Sequence, residues 1–337
     1  MNDKRLLNAL NLKENDHRPI WIMRQAGRYL PEYRKVREKY SFREVSETPE
    51  LAAEVTLQPL KRFEFDASII FADIITPLKA MNINFDFNPG PIIENPINNP
   101  KQIDALPDKF YEVAPEVQAS LKLVKSELKS QQTLIGFGGA PWTLAAYLIQ
   151  GKGQKDFPAI RRFASEYPES LQSLLTKLSD LSIQYFKEQF ESGAEVIQIF
   201  DSWAGLLSIK DWQTWIQPHL LHIVSTLKAS NIPVILFLQN ANHLVEYYCE
   251  LPISGIGVDW RVDLSKLQSN VKDHIAVQGN LDPAILLAGP EVTKKYAINL
   301  LNSIDPNGHI MNLGHGILPN TPIESVHALI EVIKNER

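Results

Sequence analysis

Residues 195–203 read Glu195-Val196-Ile197-Gln198-Ile199-Phe200-Asp201-Ser202-Trp203, a β-branched run that stops on an acid and a hydroxyl. An amphipathic helical stretch, Pro168 to Ser192, precedes it; a second, Asp211 to Ala229, follows and leads into another apolar run, Pro233 to Leu238. Strand, helix, strand in strict alternation is the unit of a parallel sheet. The same pattern extends outward in both directions. Eight runs read as strands: 19–23, 67–72, 133–139, 195–201, 233–238, 255–259, 275–279 and 309–313, with a last helical stretch over 321–335. Eight units predict a closed (β/α)8 TIM barrel rather than a doubly wound sheet, with the substrate cleft at the C-terminal ends of the strands. Strands in the second half recur every 20 to 40 residues or so and those in the first half about every 50 to 65, which places insertions early. The clearest is Asn82 to Pro107, rich in Asn and Pro, read either as an excursion over the barrel mouth or as a plain surface loop.

The 337 residues could divide into two domains, but one barrel accommodates them, and a single domain over 1–337 is expected. Hydrophobic content of 44% and charged content of 22% are ordinary globular values. The one cysteine, Cys249, excludes an internal disulfide and any cysteine-rich zinc or iron–sulfur site. The leader Met1-Asn2-Asp3-Lys4-Arg5 has no apolar signal core behind it, and no apolar run approaches 18 residues. A cytoplasmic protein without membrane partners is expected.

Charge is concentrated. The chain carries a net −5, yet between Arg18 and Arg43 eight basic residues face only Glu32 and Glu38. Within this segment Arg24-Gln25-Ala26-Gly27-Arg28 sets two permanent cations four residues apart beside a glycine. Such a segment in an acidic protein suits a small polyanion in a cleft better than nucleic acid on a broad surface. A solvated basic helix is the alternative.

Conspicuous polar residues gather where strands end. Arg24 and Arg28 follow the first strand, Asp73 the second, Gly138 and Gly139 end the third, Asp201 and Ser202 close the fourth, Asn280 and Asp282 follow the seventh and His315 the eighth. Each has a plain structural reading. Asp73 could cap the next turn, Ser202 could be a helix N-cap, and Tyr147 could only pack its ring. Phe200, Trp142 and Trp203 could be core or ligand wall. His315 lies between two glycines that would let backbone approach a ligand. Asp282, before Pro283, reads as an N-cap, and Asp259 and Asp263 are unassigned. No G-x-S-x-G, Walker A or G-x-G-x-x-G opening a helix occurs, Gly136 to Pro141 imitates a phosphate loop only weakly, and the eight histidines lack H-x-x-x-H spacing. No metal site is demanded.

Two segments, Trp21-Ile22-Met23-Arg24-Gln25-Ala26-Gly27-Arg28-Tyr29-Leu30-Pro31 and Gly136-Phe137-Gly138-Gly139-Ala140-Pro141-Trp142-Thr143-Leu144, closely resemble the signature segments of the uroporphyrinogen decarboxylase family. The match continues through Phe71-Ala72-Asp73-Ile74, Phe200 to Gly205, Gln278 to Pro283 and Gly308 to Gly316, from the first strand to the last. The resemblance implies a (β/α)8 barrel, usually a homodimer, that uses no cofactor or metal. It implies loss of carbon dioxide from the four acetate side chains of uroporphyrinogen III, giving coproporphyrinogen III. By the same resemblance Asp73 accepts hydrogen bonds from pyrrole N–H groups and favours a cationic intermediate. Arg24 and Arg28 bind carboxylates and either one delivers a proton, Gln25 between them joins the substrate-binding set, and Tyr147, Ser202 and His315 bind substrate carboxylates. Phe200 lines the pocket, while Gly138 and Gly139 let the backbone approach the macrocycle. The chain departs from the family pattern at Phe237-Leu238-Gln239-Asn240, where a lysine is usual, and at Gln154, where a serine is usual before Lys155. These departures are expected to touch loop detail or surface rather than the acid-binding core. Two other classes fit part of the pattern: a corrinoid-linked methyltransferase of the same fold, whose usual zinc site would need more than Cys249, and a non-catalytic tetrapyrrole carrier, which would not need Asp73.

Overall fold

The computed structural model describes residues 4–335 apart from 89 and 272. The expected boundaries 1–337 and the leader thus include residues 1–3, 336 and 337, which lie outside the described residues. Among the described residues nine strands form: β1 (Ala67–Ile69), β2 (Phe85–Phe87), β3 (Pro91–Ile93), β4 (Thr133–Gly139), β5 (Val196–Asp201), β6 (Val234–Leu238), β7 (Gly255–Val258), β8 (Ala276–Gln278) and β9 (His309–Ile310). Seven of them make one curled parallel sheet in the order β1-β4-β5-β6-β7-β8-β9, and β2 and β3 pair as an antiparallel hairpin.

The eighth barrel position belongs to residues 19–23, the expected first strand, reduced to one parallel bridge between Ile20 and Met311. Asp66 N–H donates to Ile20 O (2.9 Å) on one side and Met311 N–H to Pro19 O (2.8 Å) on the other, so this segment closes the ring between β1 and β9. It is short for local reasons. Pro19 has no N–H to give. The N–H groups of Ile22 and Met23 go to side-chain amides instead of a ladder, Gln25 Oε1 at 3.1 Å and Asn312 Oδ1 at 3.0 Å. Arg24, at φ 62°, then turns the chain away.

Strand residues alternate between two buried faces, as expected of a parallel sheet covered on both sides. Ala67, Ile135, Val196, Ile235, Phe237, Ala276 and Ile310 point inward and pack with Trp21 and Met23. Helix Arg5–Leu10 plugs the N-terminal end, adding Leu6, Ala9 and Leu10 to that interior. Gly255 admits the plug, since a Cβ there would lie 2.9 Å from Leu10 Cδ2. The outward set, including Leu134, Ile197, Ile199, Leu236 and Val258, meets the surrounding helices.

Helix Pro168–Glu191 forms as expected, burying Leu171, Leu174, Leu175, Leu178 and Leu181 at helical spacing. The stretch expected as one helix over 211–229 is two, Ile209–Trp215 and Gln217–Ala229. Pro218 accounts for the break: its ring excludes the carbonyl four residues back, that of Thr214. Thr214 O accepts instead from Gln172 Nε2 at 2.9 Å. The 82–107 insertion carries the hairpin and helix Pro100–Asp104, and is tied down by Ile93 N–H to Gly151 O (2.6 Å) and Ile97 N–H to Leu148 O (2.8 Å). Among the described residues no helix is long and apolar enough to cross a membrane.

Candidate active site

A cavity of about 1610 Å³ opens at the C-terminal ends of the barrel strands. It gathers Arg24, Arg28, Asp73, Tyr147, Phe200, Ser202 and His315 from five segments far apart in the chain onto one surface. The hairpin lends Asp86, Phe87, Asn88, Gly90 and Pro91, so the insertion does lie over the mouth. A smaller hollow of about 360 Å³ lies by Glu47, Lys79 and Glu116. Its lysine already pairs with Glu47 and Glu116, at 2.8 and 2.9 Å, and Glu112 is the third acid of its lining. The large cavity is where unpaired chemistry collects.

Arg24 owes its place to glycines. A Cβ at Gly316 would collide with the Cδ and Cγ of Arg24, and one at Gly27 would sit 2.7 Å from Arg24 O. The arginine stem therefore runs across residue 316, held there by Ile317 N–H donating to Met23 O at 2.9 Å. Gly314 is tight against the backbone of Trp260. The glycines flanking His315 thus make room for protein, not for a ligand as the sequence suggested. Arg24 and Arg28 are exposed and form no salt bridge among the described residues.

Asp73 does cap a turn: its Oδ1 accepts from Ile75 N–H at 3.1 Å while its own N–H donates to Thr76 Oγ1 at 3.2 Å. The carboxyl group also lines the cavity, partly exposed to it although surrounded by the fold. Burial pushes its pKa up to about 6, against the pull of the Ile75 and Ile74 N–H groups and of Arg24. His315 moves the other way, down to about 4, chiefly by burial and then by the nearby Arg24 charge. The imidazole is neutral at pH 7, able to donate from one nitrogen and accept at the other. Burial and then Asp73 raise the Tyr147 phenol, keeping it protonated as a donor. Its ring meets Phe157 and Trp203 edge-on, at 5.7 and 6.3 Å between centroids. Phe137, Phe200 and Phe237, on β4, β5 and β6, stack edge to face at 5.7 Å and make an apolar wall. One cavity therefore offers guanidinium donors, an aromatic wall and a partly buried acid. Among the described residues no three His, Cys, Asp or Glu side chains gather to hold a metal ion.

Three expected site residues lie outside the lining. Gln25 is fully buried, with Oε1 on Ile22 N–H and Nε2 donating to Ala67 O (3.1 Å), so it braces the closing segment. Gly138 faces outward, where a Cβ would lie 2.8 Å from Phe186 Cε1. Gly139 is close to Leu144 and to Ile74 O, 3.2 Å from a hypothetical Cβ. Both glycines bring helices near the barrel rather than backbone near a macrocycle.

The family model for uroporphyrinogen decarboxylase matches residues 1–336 of this sequence. The uroporphyrinogen decarboxylase of Carboxydothermus hydrogenoformans is 42% identical over 99% of this chain and 96% of its own length. That of Geobacter metallireducens is 41% identical over 98% of both. The chain belongs to the uroporphyrinogen decarboxylase family. Among solved structures a methyltransferase from Methanosarcina mazei is similar over 97% of this chain and 96% of its own, with a TM-score of 0.82 at 22% identity. A B12-independent methionine synthase from Shewanella sp. W3-18-1 reaches 0.59 at 12% identity over 85% of each chain. At those identities the likeness is one of fold.

Within this decarboxylase-family cavity sit residues that the sequence reading did not select. Arg34, Arg37 and Arg43 join Arg24 and Arg28, against Glu38, Asp73 and Asp86. Arg34 Nη1 donates to the carbonyls of Arg28 (2.8 Å) and Tyr29 (3.1 Å), which holds the Arg28 loop. Arg37 lies 5.7 Å from the Phe42 ring, its Nη1 buried without a hydrogen-bond partner among the described residues. Arg43 donates to Phe85 O and so fastens the hairpin. A signal existed: Arg34 and Arg37 stand three residues apart on helix Pro31–Lys39 and share its cavity-facing side. The departure at Gln239 also proves to be in the cavity lining, not in surface detail, whereas Gln154 is exposed.

Proposed function

We propose that this protein is a carboxy-lyase that removes carbon dioxide from the four acetate side chains of uroporphyrinogen III, leaving methyl groups and yielding coproporphyrinogen III for haem and tetrapyrrole biosynthesis. The observation that carries the reading is one cavity that the partly buried Asp73 carboxyl shares with Arg24, Arg28, Arg34, Arg37 and Arg43. Its volume, about 1610 Å³, exceeds that of pockets for drug-sized molecules and suits a tetrapyrrole macrocycle. A ligand with eight carboxylates needs a basic cleft rather than a basic protein. Arginine pairs planar donors with carboxylates, and each such charge-assisted bond contributes roughly 1.5–3 kcal/mol.

The pyrrole serves as its own electron sink. Protonation of a ring carbon beside the acetate-bearing position makes a cation. The bond to the carboxylate then breaks, carbon dioxide leaves, and the electron pair neutralises the ring as an exocyclic methylene. Protonation of that methylene gives the methyl group, and loss of the first ring proton restores the pyrrole. One proton is consumed for each carbon dioxide released, and no external electron acceptor takes part. Asp73 accepts from pyrrole N–H groups and stabilises the cation, a preorganised charge aimed at charge of opposite sign developing in the transition state. Arg24 and Arg28 hold acetates and propionates, and either arginine supplies the proton. Tyr147, Ser202 and His315 donate to further carboxylates, while Phe200 and its neighbours exclude water. The working unit in this reading is a cytoplasmic homodimer of single-domain barrels spanning 1–337, with no nucleic acid or membrane partner and no cofactor.

The test is anaerobic incubation with uroporphyrinogen III, without added metal or cofactor, followed by oxidation and separation of porphyrins by carboxyl number. Passage through seven-, six- and five-carboxylate species to the four-carboxylate product is expected. Unchanged eight-carboxylate material that remains tightly bound would make the protein a carrier; no binding would direct attention to methyl transfer.

A further inference from the structure

Asp201 ends β5 and is fully buried, yet it does not line the cavity. Its Oδ2 accepts from Tyr248 Oη–H at 2.5 Å and its Oδ1 from Thr143 Oγ1–H at 3.2 Å. Thr143 Oγ1 in turn accepts from Ser202 N–H at 3.0 Å. We propose that Asp201 is a positioning residue for the reaction, locking the Ser202 loop to the helix that carries Tyr147. This rests on the decarboxylase reading of the cavity.

The direction of the chain is set by chemistry. A carboxylate only accepts, so Thr143 must spend its single proton on Asp201 and present a lone pair to Ser202 N–H. Thr143 and Tyr147 stand four residues apart on helix Pro141–Gln150 and share one of its faces. Tyr248 comes from helix Val245–Cys249, beyond β6, and its ring packs 4.8 Å from Trp212. One buried acid therefore joins the segments that follow β4, β5 and β6, each of which carries a cavity residue: Tyr147, Ser202 and Gln239. Burial pushes the Asp201 pKa up to about 6, opposed first by Tyr248 and then by Thr143. The group is mostly ionised at neutral pH, and the two hydroxyls together with the Ala204 N–H are what make that tolerable. Residues bonded behind the contact surface decide whether donors reach their ligand within about 0.5 Å.

Asp201→Asn places an NH2 donor where two donors already point. Steady-state kinetics on uroporphyrinogen III should then show kcat/KM lowered by about 10- to 100-fold with a cooperative melt retained. Thr143→Val, nearly the same shape, should reproduce the loss, Thr143→Ser should recover most of it, and the Ser202 amide should exchange faster in the Val variant. Combined with Ser202→Ala, Asp201→Asn should add less than about 3-fold, because both act through one contact. If Asp201→Asn does not fold, the Thr143 pair decides. Wild-type turnover with Thr143→Val unimpaired, or independent multiplication of the Asp201 and Ser202 effects, overturns this inference alone. A wild-type protein that makes no product overturns the functional reading, and this proposal falls with it.

Discussion

Asp73 serves the backbone and the cavity with one carboxyl group. Oδ1 caps the turn at Ile75, and the group stands in the cavity with a pKa near 6. Asparagine would keep an acceptor for Ile75 N–H while removing the charge. Turnover of Asp73→Asn on uroporphyrinogen III should fall at least about 10²-fold, and near-normal turnover would discard its assigned role. In the wild type kcat/KM should decline as pH drops through about 6, where Asp73 is protonated. Stability runs the opposite way. Because the folded pKa lies above the ordinary carboxylate value of 3.8, the group favours the folded state most below that value and loses this contribution as pH rises through about 6. Asp73→Asn should therefore be more stable than wild type at pH 8, by about 1–3 kcal/mol, and no more stable near pH 3.5. Thermal melts at the two pH values check the sign. Asp73 and His315 were legible in the sequence because they come just after the expected strands 67–72 and 309–313. Gln25 was not, because neighbours in sequence do not reveal that its amide turns inward to Ile22 and Ala67.

At the scale of elements, the period of two decides what a glycine is for. On β4, Ile135 points to the barrel interior and Phe137 to the cavity, so Gly136 and Gly138 point to the helices. Helix Pro168–Glu191 approaches closely enough that Phe186 occupies the space a side chain at 138 would need. Gly138→Ala should thus destabilise the protein by about 1–3 kcal/mol through overpacking, read from denaturant midpoints. Any change in KM should be small, since the added methyl points away from the cavity; a large KM rise with stability intact would return Gly138 to the ligand surface. Pro218 could have announced the break in the 211–229 helix from sequence alone. The partner that takes the freed Thr214 carbonyl, Gln172, lies 42 residues away and is visible only once both helices pack.

For the whole molecule, closure is the sensitive step, because seven strands pair by ladders while residues 19–23 join by one bridge and a few bonds. Asp66 sits at that seam. Its Oδ2 accepts from Ile20 N–H at 2.9 Å and its Oδ1 from Arg5 Nη1 at 3.0 Å, which also binds the plug helix to the seam. Asp66→Ala should lose about 3 kcal/mol, since it strands a buried N–H and part of a guanidinium's pairing, and urea unfolding would measure it. A loss under about 1 kcal/mol would mean that packing alone closes the ring. The resemblance to a known family singled out Tyr147 and Phe200, whereas the sequence by itself determined the alternation of strands and helices, the parallel barrel, the basic segment and the strand-end addresses of Arg24, Arg28, Asp73, Ser202 and His315. Those follow from local periodicity and from the rule that barrel loops share one mouth. Only the tertiary structure decided which way each side chain points, which glycines yield to Arg24, Trp260 or Phe186, and how Asp201 joins three loops. Direction and partnership depend on atoms far apart in the chain, and periodicity carries no record of them.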